Sequence, residues 1–197
     1  MGSRRIGRAR LSALSELGTS LTGSALASAG ISGSVGAQRI VRSGQQVITE
    51  YTICLASSLG ALSQAGTANT IIGHSASHPV DNASLGQVEA QTHGIVHTVH
   101  YTCVEAPLGG DADIDLVFGT ANDAGYSGSA TGQTAICQAG GALVKGQMIE
   151  KEYDANELNN NFLYLAYGGS TDSAARAEYT AGKLIVRLYG EAIPDDL

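Results

Sequence analysis

The sequence predicts a mainly β protein, an antiparallel β-sandwich with the jelly roll as one arrangement open to it, preceded by an extended N-terminal arm carrying a short helix. Three observations carry this. From residue 38 onward apolar residues recur at two-residue spacing; the segments showing it are short; and Gly-, Asn- and Ser-rich turns separate them. A chain of 197 residues is long enough for one domain with its own core. Hydrophobic residues make up 43% against 15% charged, which excludes global disorder. The 26 glycines follow no three-residue period, which excludes a collagen-like chain, and no stretch approaches the apolar length of a membrane-spanning helix.

Two units are expected, a basic Gly/Ser-rich arm over residues 1–42 and a β-sandwich body over 43–197. In the arm, Leu11, Leu14 and Leu17 sit at three-residue spacing before Gly18, which allows a short helix over residues 9–18. Residues 18–36 are Gly, Ser, Thr and Ala with a few aliphatics and no charge, a composition ordered only by contact with a partner.

In the body, Val47–Leu55 places Val47, Tyr51, Ile53 and Leu55 on one face. Ile95–Val104 does the same with Ile95, Val99, Tyr101 and Cys103. Asp113–Phe118 sets Ile114, Leu116 and Phe118 opposite Asp113 and Asp115, so an acidic outer face is expected there. Phe162–Tyr167 and Lys183–Tyr189 complete the main strands. Thr70–Ile72, Thr134–Gln138 and Leu143–Ile149 are weaker candidates, and Asp154–Asn161 reads as a helical turn or a loop.

Charge is divided along the chain. Residues 1–42 hold Arg4, Arg5, Arg8, Arg10, Arg39 and Arg42 against Glu16 alone; residues 43–144 contain eight acids and no Lys or Arg; residues 145–197 hold five bases and nine acids, giving −7 overall. A basic arm on an acidic body points to an arm that docks on something negative. The arm lacks aromatics to stack on bases and the body would repel a duplex, so protein is favoured over nucleic acid as its partner. Ser3-Arg4-Arg5 resembles the start of a twin-arginine export signal, but Arg10 and Glu16 interrupt the apolar stretch such a signal needs. Ile6 stands where a myristoylation signal needs Ser or Thr.

The candidate chemistry is sparse. All five histidines, His74, His78, His93, His97 and His100, fall within one stretch. Four-residue spacing makes a zinc site on a helix, but His97 and His100 lie in a strand-like run and are expected on opposite faces. A metal shared on an oligomer axis stays open. Asp111, Asp113 and Asp115 alternate like the start of a calcium loop, yet Leu116 and Asn122 occupy the positions that need Gly and Glu. Gly125-Tyr126-Ser127-Gly128 lacks the closing glycine of a nucleophile elbow, and no glycine-rich stretch ends as a phosphate loop does. Asn82-Ala83-Ser84 matches a glycosylation triplet that chance supplies. Cys54, Cys103 and Cys137 form no pair by spacing and read as buried free thiols of a reducing compartment. The sequence predicts no enzyme, no cofactor and no metal.

Four stretches carry a family resemblance: Met1–Arg8 (MGSRRIGR), Gly44–Glu50 (GQQVITE), Ala106–Gly119 (APLGGDADIDLVFG) and Tyr179–Gly190 (YTAGKLIVRLYG). In this order they resemble small virion structural proteins of tailed bacteriophages of marine and freshwater bacteria, cyanophages among them. Ala61–Gln91 departs most from that pattern. The resemblance implies a capsid decoration (cement) protein of the virion, assembled in the bacterial host cytoplasm. Its partners would be the major capsid protein and further copies of itself as a dimer or trimer; no membrane partner is expected, and nucleic acid is disfavoured as above. On this view Arg4, Arg5, Arg8, Arg10, Leu11, Leu14, Leu17, Arg39 and Arg42 contact partner subunits. Two other readings are a tail, collar or fibre-base protein of the same virion, and a soluble β-fold module binding a ligand or glycan.

Overall fold

The computed structural model describes residues 35–57, 60–74, 83–154, 157–169 and 177–193. The helix expected over residues 9–18, with Arg4, Arg5, Arg8, Arg10, Leu11, Leu14 and Leu17, lies outside the described residues, as does His78.

Thirteen strands and one helical turn follow one another among the described residues. They are β1 (Val35–Ser43), β2 (Gln46–Cys54), β3 (Ala56–Ser57), β4 (Gly60–Gln64), β5 (Gly73–His74), β6 (Gly86–Gln87), α1 (Ala90–His93), β7 (Ile95–Leu108), β8 (Ile114–Gly119), β9 (Thr134–Cys137), β10 (Met148–Glu152), β11 (Phe162–Tyr167), β12 (Ala177–Glu178) and β13 (Ala181–Glu191). One sheet has the order β1-β2-β13-β7-β10 and the facing sheet β6-β11-β8-β9. A small sheet, β12-β4-β3 with β5 beside β4, adds Leu62 to the core.

The pairing is nested. β2 joins β13, β6 joins β11, β7 joins β10 and β8 joins β9, each antiparallel. The chain therefore pairs as one long hairpin that bends between β8 and β9 and then wraps into two layers. That is the jelly roll, in which only short strands remain at the edges of the second sheet.

The inward faces of the two sheets make the core. β2 alternates strictly, with Val47, Thr49, Tyr51 and Ile53 buried, and β13 likewise buries Leu184, Val186 and Leu188. Facing them are Leu116 of β8 with Leu163 and Leu165 of β11. Tyrosines serve here as large apolar bodies with a satisfied polar tip. Tyr101 donates to the Ile114 carbonyl (3.1 Å), Tyr164 to that of Ala121 (2.8 Å) and Tyr179 to that of Asp111 (2.9 Å).

Several expectations need correction. Residues 35–42, assigned to the arm, belong to β1 and are paired along β2 with Gln38 and Ile40 buried, because the inward alternation starts before the charge pattern changes. In β7 it is Val96, not Ile95, that joins Val99, Tyr101 and Cys103 inside: the register against β13 shifts between Val96 and Thr98, and such a bulge moves one residue to the other face. The same bulge removes the strict alternation that set His97 opposite His100. Asp115 is buried and does not sit on an acidic outer face. Thr70–Ile72 contributes a single bridge, Ile71 to Ala166, and the strand expected from Leu143 starts at Met148. Within Asp154–Asn161 the described residues form turns closed by Glu157 N–H to Asp154 O and Asn161 N–H to Leu158 O.

Candidate interaction surface at the root of the basic segment

β1 is an edge strand, and it anchors the basic N-terminal segment to the body. Its inward residues are Gln38 and Ile40; Arg39 on the other side is exposed. Arg42 is half-buried, and its guanidinium donates to the Gln91 carbonyl at 2.7 Å. That carbonyl lies at the C-terminal end of α1, where helical carbonyls lack an intrahelical donor and carry partial negative charge. Arg42 thus serves its own chain, while Arg39 stays open to a partner.

Behind β1 lies a buried polar chain. The Gln38 side chain hydrogen-bonds the Tyr51 hydroxyl, which lies 3.1 Å from His93 Nε2. The Tyr51 and His93 rings are stacked with centroids 6.4 Å apart. His93 Nδ1 faces both the N–H of Glu89 (3.0 Å) and its carbonyl (3.1 Å). Burial pushes the Tyr51 hydroxyl well above its usual range and lowers His93 below its own, against the raising effect of the Glu89 carbonyl and carboxylate. A neutral ring supplies one acceptor and one donor, which this site uses. A second proton would find acceptors in the Glu89 carbonyl and the Tyr51 oxygen, so what opposes it is the burial of the charge.

The sign of the linkage follows. The folded pKa of His93 is below its unfolded value near 6.5, so its contribution is complete above that value and is lost as pH falls through the folded pKa. We expect urea stability to fall on acidification below about pH 6.5, and His93→Gln to flatten that slope relative to the parent protein. Parallel slopes in the two proteins would remove His93 from this role.

The other candidates are structural where the described residues show them. Asp111 Oδ1 accepts from the Asp113 N–H (3.0 Å), Asp113 Oδ1 from Gly141 (3.3 Å) and Asp115 Oδ1 from Ala139 (2.7 Å). Asp113 and Asp115 tie the loop after β9 to the start of β8, while Asp111 braces the turn that leads into β8. Burial raises the Asp115 pKa, the Ala139 N–H lowers it, and Asp113 raises it. Among the described residues no group of three His, Cys, Asp or Glu could hold a metal ion.

His74 is buried, His97 Nδ1 lies 2.9 Å from Thr98 Oγ1, and His100 Nε2 lies 3.2 Å from Glu150 Oε2. Ser127 has a positive φ of 64°, but as part of a turn closed by Gly128 N–H to Gly125 O. Cys103 and Cys137 are buried free thiols and Cys54 is half-buried; burial pushes Cys137 up to about 12.

Gln38 and the contact of Tyr51 with His93 escaped the sequence reading. The available signal was parity: Gln38 shares the inward spacing of Ile40 and Arg42, which marks it as buried and in need of a partner. No family model, curated protein or solved structure matches this chain. No helix among the described residues is long and apolar enough to cross a membrane.

Proposed function

We propose that this chain is a structural protein of a tailed-phage virion, a capsid decoration (cement) protein. The jelly-roll body sits on the shell, and the basic segment ahead of β1 reaches across neighbouring copies of the major capsid protein and clamps them. The observation that carries this reading is the root itself. The segment holding Arg4, Arg5, Arg8 and Arg10 leaves from an edge strand fixed by Arg42 and by Gln38, so tension on it is borne by the sheet.

The resemblance of the four stretches to that family supports the reading. The fold agrees with it without deciding it, since jelly rolls occur in viral capsid and lectin domains alike and a fold hosts many functions. Docking such a segment costs about 1–2 kcal/mol per ordered residue, so each copy holds modestly and the lattice of copies holds strongly.

Quantitative mass spectrometry of purified virions, scaled to the major capsid protein, tests the reading. We expect one copy per capsid subunit or a simple fraction of it. A handful of copies per particle would assign the chain to the tail or portal vertex, and absence from virions would overturn the virion reading.

A further inference from the structure

The outward face of the five-stranded sheet carries a row of ionisable side chains in register across all five strands. Arg39 pairs with Glu50, Glu50 with Arg187, Arg187 with His100, and His100 with Glu150. Two contacts along the row are made: Arg187 Nε donates to Glu50 Oε2 at 2.6 Å, and His100 lies 3.2 Å from Glu150. Both ends of the row reach solvent. Arg39 is exposed at the β1 edge, and Glu150 has a half-exposed side chain at the β10 edge. On either side of the row are Ile48, Tyr189 and Ile185, with Met148 54% exposed and Val104 37% exposed. None of the described helices or strands packs over this face; α1 contacts the sheet from the inner side, through His93 against Tyr51.

We propose that this face binds the same face of a second copy, about a twofold axis running parallel to β13, the middle strand. The charge order selects both the partner and the axis. With the axis along β13 the row is reversed across the interface. Arg39 then lies over Glu150 of the second copy, and Glu50 over its His100. An axis across the strands would instead set Arg39 over Arg39 and Glu150 over Glu150. At the centre Tyr189 and Ile185 meet their own counterparts, an aromatic and an aliphatic anchor of the kind that dominates interfaces. The two Arg187 side chains, also central, each bond sideways to their own Glu50.

Size agrees with a stable contact. Four strands about 30 Å or more long and the shorter β10, about 17 Å, spaced about 4.8 Å apart, present roughly 650 Å² per partner, approaching the ~800 Å² of a standard interface. Aligned packing of two sheet faces is itself a common arrangement. The inference uses the sheet alone and stands independently of the virion reading.

The test is charge reversal with sedimentation velocity on the full chain. The parent protein is expected to dimerise reversibly. Arg39→Glu and Glu150→Arg should each weaken the dimer by about tenfold or more, since every reversal makes two like-charge contacts across a twofold. The double reversal should return within about threefold of the parent, which no loss of folding could produce. A parent that stays monomeric up to about 100 µM would overturn the proposal. So would single reversals without effect, or a double variant no tighter than the singles.

Discussion

Removal of residues 1–34 should leave the melting temperature of the body unchanged, while removal of residues 1–43 should lower it sharply. The second cut takes away β1, and with it the cover over Ile40's site, the Gln38 contact to Tyr51 and the Arg42 bond to α1. Loss of one buried aliphatic side chain costs about 1.5–3 kcal/mol, and each severed hydrogen bond to a charged or buried group roughly 1–3 more. A total of about 3 kcal/mol or more corresponds to roughly 6–12 °C for a domain of this size. Calorimetry of the two truncations decides it. Equal melting temperatures would mean that β1 adds nothing to the body. The shorter truncation also isolates the clamp: it should weaken attachment to shells without harming the sandwich, and undiminished attachment would sink the clamping mechanism.

Gly94→Ala should be strongly destabilising. Gly94 ends α1 with φ 70° and ψ −177°, a backbone region that essentially only glycine occupies. An added Cβ would lie 2.6 Å from the Glu191 oxygen and 2.8 Å from its carbonyl carbon, both backbone atoms of the long β13. Neither can swing away as a side chain would. Strain and overpacking together should cost about 3 kcal/mol or more. Because α1 would shift, His93 should lose its place beside Tyr51 and the acid sensitivity should shrink with it. Gly44→Ala is the control. Its φ is also positive, at 63°, but nothing lies within 4 Å of the added methyl group, so only about 1 kcal/mol is expected. Urea titrations of both variants make the comparison, and equal losses would show that the approach of β13 does not matter.

The sandwich was legible because its main strands bury one face and expose the other. Val47–Leu55 and Lys183–Tyr189 announce themselves by parity alone, and the structure places both in neighbouring strands of one sheet. What stayed hidden required pairing partners far away in sequence. Asp115 looks like a surface acid until the Ala139 N–H, 24 residues on, is found against it. The shift at Val96 depends on the register with β13, which no local pattern records. The arm boundary was misplaced for a different reason: charge and strand periodicity change at different positions, and Arg39 and Arg42 belong to both patterns. The row from Arg39 to Glu150 was the least visible feature, since its five members come from five separate strands and only the strand order aligns them.

The middle position of β13 has a consequence for biosynthesis. β2 and β7 are not neighbours in the sheet until β13 enters between them. On the ribosome, roughly 130 residues must be added after β2 before that strand emerges, on the order of ten seconds at ordinary elongation rates. β2 throughout that interval, and β7 from its own synthesis onward, present an unpaired edge to whatever is nearby, including the nascent chains of adjacent ribosomes. Translation and folding are therefore separated in time, and the sheet closes as a late event that a chaperone or a slowed growth temperature would assist. A message truncated ahead of Ala181 would yield a product without its central strand, unable to join β2 to β7 and prone to aggregate.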